Sequence, residues 1–210
     1  MPLIGKALED AERLRERMSA AGCVFDFAVH TVMHGHLVTE MDHRLLLRAL
    51  FEEFRKGEEQ WRVTRMAQYP ELADTPFHRT EYDLTQAQAT SWNAASVTDA
   101  KAFMPGQRIH GTRSVASVSE FEWLFQAFDG PPYGSTCEPG LFADFCSVVG
   151  LLPGQGIEVL DWAGDPNVAP GRSSWSNYFD EGKDWWGIWC LTVWNPQRRT
   201  LAALAASSTD

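Results

Sequence analysis

The segment "DWWGIWCLTVWNP", residues 184–196, constrains the fold more than any other stretch of the chain. Set on a strand, Trp185, Trp189, Leu191 and Val193 point one way, and Trp186, Ile188, Cys190, Thr192 and Trp194 point the other. A strand apolar on both sides has no face to give to water. Residues 184–194 are therefore expected to form an inner strand with a layer packed on each side.

The rest of the chain has to supply those layers. Ile4, Ala7, Leu8, Ala11, Leu14 and Met18 recur at three- and four-residue steps, which predicts an amphipathic helix over about 4–21, ending near Gly22. A second helix is expected over 40–56, opened by Thr39, striped by Leu46, Leu47, Leu50 and Phe54, and stopped at Gly57. Ser117 and Glu120 have the form of a capping box ahead of a third helix over 118–128. A fourth, over 139–149, turns Leu141, Phe142, Phe145 and Val149 inward.

Between these helices, "CVFDFAVHTVM" alternates with a period of two and reads as a strand with one dry face, that of Phe25, Phe27, Val29 and Met33. Short strands are expected at "QWRVTRM", "EYDLTQAQATSW" and "IEVLDW", with two strands joined at "NPQR" near the C-terminus. The resulting expectation is an α+β fold: a single domain over 1–210, mainly antiparallel sheet partly covered by about four helices, with an acidic, tryptophan-rich C-terminal lobe over 117–210.

Charge separates the two halves. Residues 1–116 hold 14 basic and 16 acidic side chains, whereas 117–210 hold 4 and 12, so most of the net −10 comes from the second part. Such a field repels phosphate backbones and attracts basic surfaces, which argues against direct nucleic-acid binding and for a basic protein partner. No run of eighteen apolar residues occurs, and the N-terminal stretch is charged throughout. A cytoplasmic protein with no membrane contact is expected. Cys23, Cys137, Cys146 and Cys190 show no close pairing and read as buried thiols in a reducing compartment.

Catalytic signatures are sparse. No Gly-framed serine elbow, phosphate-cradling loop or dinucleotide fingerprint is present, so no cofactor is expected. Cys137 precedes a predicted helix N-terminus, but a small structural residue explains it as well. The densest chemistry is "HTVMHGHLVTEMDH", with four of the six histidines in fourteen positions. On a strand rising ~3.3 Å per residue, His30 and His34 stand too far apart for one ion. His34 and His36 could share a metal with His43 from the next helix, yet the helical spacing of a zinc protease is missing. An exposed turn is the expectation; the alternative is a small-molecule-binding protein or enzyme that uses His34, His36 and His43, with or without a metal.

The second constellation is "SSWSNYFDEGKDWW", where Tyr178, Trp185 and Trp186 alternate with Asp180, Glu181 and Asp184. Aromatic anchors ringed by carboxylates suit a protein interface, in which rings supply buried area and charge speeds encounter. These six residues are the expected contact surface of a non-enzymatic recognition protein of the inhibitor or immunity type, facing a basic partner such as a nuclease-like toxin.

Overall fold

In the computed structural model, described for residues 3–4, 9–72, 74–92, 120–130, 138–152, 156–184 and 187–207, the chain is an α+β protein. Ten elements follow one another: β1 (Leu3–Ile4), α1 (Glu9–Ala20), β2 (Asp26–Val32), α2 (Glu40–Gln68), β3 (Thr90–Ser91), α3 (Glu120–Asp129), α4 (Leu141–Val149), β4 (Glu158–Asp161), β5 (Ile188–Asn195) and β6 (Thr200–Ser207). The strands form one antiparallel sheet in the order β1-β2-β6-β5-β4-β3.

β5 is the inner strand that its two apolar faces require, but it begins at Ile188 and not at residue 184: Gly182–Asp184 is a 3₁₀ turn, and Trp185 and Trp186 lie outside the described residues. Trp189, Leu191 and Val193 enter one core with Phe27 and Val29 of β2, beneath α1, α3 and α4. Ile188 and Cys190 enter a second core on the opposite face, beneath α2. β6 divides in the same way: Ala202, Leu204 and Ala206 face the first core, and Leu201, Ala203 and Ala205 the second. The small alanines let helix backbones approach the sheet from both sides, and all six of these side chains are fully buried.

Several expectations are corrected. The first helix is Glu9–Ala20; Ile4, expected within it, pairs with β2 in the edge strand Leu3–Ile4, and residues 5–8 lie outside the described residues. β2 has buried residues on both faces, since Ala28 and Val32 meet α2 while Met33 is half-exposed at the strand's end. α2 does not stop at Gly57 but continues to Gln68, so "QWRVTRM" is helix and not strand. Gly57 has open space where a side chain would stand. Its cost of roughly 1 kcal/mol is outweighed by the helix formers that flank it. Strand β4 falls where "IEVLDW" was expected, and β5 and β6 meet across "NPQR". The stretch "EYDLTQAQATSW" contributes Thr90–Ser91 and an isolated bridge between Tyr82 and Ser176.

Cys146 and Cys190 are free thiols buried in opposite cores, where burial pushes their ionisation well up. Cys137 lies outside the described residues. Among the described residues no helix is long and apolar enough to cross a membrane.

Candidate functional site

The histidines do not converge. Gly35, at φ +80°, turns the chain between His34 and His36, leaving His34 exposed. His36 Nε2 lies 3.0 Å from Asp42 Oδ2. That carboxylate also accepts the Thr39 backbone N–H and hydroxyl, each at 2.9 Å. Burial raises the Asp42 ionisation, but the Thr39 backbone, His36 and the Thr39 hydroxyl together hold it below its ordinary value. His43 turns inward instead, and its Nδ1 meets Thr192 Oγ1 on β5. Among the described residues no three His, Cys, Asp or Glu side chains are placed to hold one metal ion, so the alternative grouping of His34, His36 and His43 is not assembled.

The acidic aromatic turn is built on a strap, residues 79–88, which α2 holds against the protein. Glu58 receives both the backbone N–H and the hydroxyl of Thr80, and Arg55 Nε donates to the Thr80 carbonyl at 2.8 Å. The Tyr82 hydroxyl donates to Glu52, and burial with that bond pushes its ionisation up to about 12. Arg44 reaches the carbonyls of Leu84 and Ala87. The strap in turn carries the turn. Asn177 accepts from the Glu81 backbone at 2.8 Å and donates to the Arg79 carbonyl at 3.0 Å. Ser176 Oγ donates to the Glu81 carbonyl at 2.8 Å.

On this support Tyr178 is half-buried, its ring stacked on Phe54 at 4.9 Å and 15° and edge-on to Phe51 and Phe179. Burial, with Asp26 and Cys190 nearby, keeps its phenol protonated well above the ordinary range. Asp180 and Glu181 are exposed, and Asp180 pairs with Lys183 at 2.8 Å. Asp184 ends the short 3₁₀ turn Gly182–Asp184; its side chain, together with Trp185 and Trp186, lies outside the described residues. Tyr178 thus joins the turn to α2, while Asp180 and Glu181 face solvent.

The segment that leads into the strap forms one wall of a feature that the sequence reading missed. A cleft of about 660 Å³ opens between the distal half of α2 and the segment leading into the strap, lined by Glu58, Trp61, Arg62, Arg65, Met66 and, opposite them, Leu72, Thr75, Pro76, Phe77 and His78. Trp61, 53% exposed, stacks on Phe77 at 5.9 Å and 23°. Arg62 lies over Phe77 at 5.6 Å, and Arg65 over Trp61 at 4.9 Å. The missed signal was the spacing of Trp61, Arg65 and Tyr69, one residue per helical turn. Reading "QWRVTRM" as a strand set Trp61 and Arg65 about 13 Å apart, at ~3.3 Å per residue, instead of one helical turn apart.

No protein-family model, curated protein or solved structure matches the chain.

Proposed function

We propose that this chain is a cytosolic recognition protein of the inhibitor or immunity type, acting by docking on a basic protein partner such as a nuclease-like toxin. The observation that carries the reading is the acidic turn: Asp180 and Glu181 project to solvent from a segment fixed at Ser176, Asn177 and Tyr178. A turn held this firmly loses little conformational freedom on binding, and its carboxylates add local attraction to the acidic field of residues 117–210. The role of Trp185 and Trp186 as anchors belongs to the same proposal.

The test compares wild-type protein with D180N/E181Q/D184N in binding kinetics against the purified partner at several salt concentrations. The triple variant should keep its fold, associate several-fold more slowly, and show a shallower dependence of association rate on salt. Unchanged rate and salt dependence would remove this turn from the interface.

A further inference from the structure

The cleft beside the turn has chemistry of the opposite sign. We propose that it is a small-molecule site for an organic acid, a carboxylate carried on a flat or aliphatic apolar body. Its volume of about 660 Å³ is that of a ligand pocket, and its walls divide as such pockets do. Trp61, Met66, Leu72, Pro76 and Phe77 offer apolar surface, while Arg62 and Arg65 supply cationic groups.

Charge complementarity selects the acid. The one carboxylate in the lining, Glu58, has both oxygens committed to Thr80. Arg62 has only a loose pairing with Glu59, at 3.8 Å. Arg65 has no carboxylate partner among the described residues; its guanidinium is braced by Trp61 at 4.9 Å and Tyr69 at 6.0 Å. Stacking of this kind orients the guanidinium plane and leaves its N–H edge free for bidentate pairing with a carboxylate. The exposed Trp61 ring supplies the apolar contact alongside. Two arginines with a single loose carboxylate partner between them, next to a half-exposed tryptophan in a chain of net charge −10, are the pattern that an anionic apolar ligand would complete.

The experiment is a titration followed by the indole N–H signals of ¹⁵N-labelled full-length protein, with Trp61→Phe used to assign the Trp61 signal. The probes are 2-naphthoate, decanoate, the neutral isostere 2-naphthamide, and a short acetylated peptide of alternating Glu and Phe. The Trp61 signal should shift saturably with 2-naphthoate, and 2-naphthamide should bind at least roughly tenfold more weakly. R62Q/R65Q should lose about tenfold in affinity for the acid and little for the amide. Equal affinity for acid and amide, or no saturable Trp61 shift with either acid below about 5 mM, would overturn the proposal. So would saturation by the peptide alone, which would make the cleft a groove for a protein segment. Asp180 and Glu181 do not line this cleft, so the outcome is independent of the partner-docking reading.

Discussion

His43 Nδ1 on α2 lies 2.7 Å from Thr192 Oγ1 on β5, and the same hydroxyl accepts the Trp162 indole N–H at 2.8 Å. All three residues are at most 1% exposed, so this relay stands in the middle of the core between α2 and the sheet. The direction of the His43–Thr192 bond follows the imidazole tautomer, and the other ring nitrogen, Nε2, is buried with no hydrogen-bond partner among the described residues.

Burial lowers the His43 ionisation from 6.5 to about 4. As pH falls, the unfolded chain takes up this proton before the folded one. The stability tied to neutral His43 is therefore whole above about 6.5 and drains away down to about 4, a total of about 3 kcal/mol. Asp26, whose carboxyl burial pushes up to about 6, acts in the opposite sense over an overlapping window, weakened because the residue reaches solvent. Urea unfolding of Asp26→Asn should accordingly show a loss of about 2 kcal/mol between pH 7 and pH 4.5. A flat profile in that variant would mean that His43 titrates normally.

Thr192→Val keeps the shape of the strand residue and deletes the hydroxyl. It leaves the Trp162 N–H and the His43 ring nitrogen without the partner they share in a dry core, which should cost roughly 2–4 kcal/mol. Equilibrium denaturation measures this directly, and a change below about 0.5 kcal/mol would show that water or a rearranged side chain fills the gap.

Tyr178 bonds its turn to α2 through the Phe54 stack. Tyr178→Ala should destabilise the protein by about 2–3 kcal/mol, below the value for a fully buried ring because Tyr178 is half-buried. Tyr178→Phe, which keeps the stack, should retain most of that stability. If Tyr178→Ala unfolds at the wild-type urea midpoint, the ring contributes nothing to the fold and is free to serve as a contact residue.

Where the sequence was legible, periodicity and burial agreed. β5 could be read because both of its parities are apolar, which leaves no alternative to an inner position. α3 and α4 could be read because their phenylalanines and leucines repeat with one helical face against a single core. The distal half of α2 was opaque because beyond Gly57 the helix leaves the core: Trp61, Arg65 and Tyr69 are exposed, and no buried stripe marks the period. The histidine run was opaque for a different reason. Only the pairing of α2 with β5 sends His43 inward, away from His34 and His36, and a partner 149 positions distant leaves no local trace.

The position of β6 sets the order in which this protein can come into being. β2 has its long pairing with β6, and the Arg199 side chain closes onto the Val32 carbonyl across 167 positions. Until that distant strand has been synthesised, β2 carries phenylalanine and valine on one side and alanine and valine on the other with its principal neighbour missing. Contacts this remote in sequence are slow to form, because the intervening loop must close before any stabilisation is gained. The sheet is thus completed only once residues 200–207 have followed β2 out of synthesis, and until then both apolar faces of β2 stand without the strand that covers their edge.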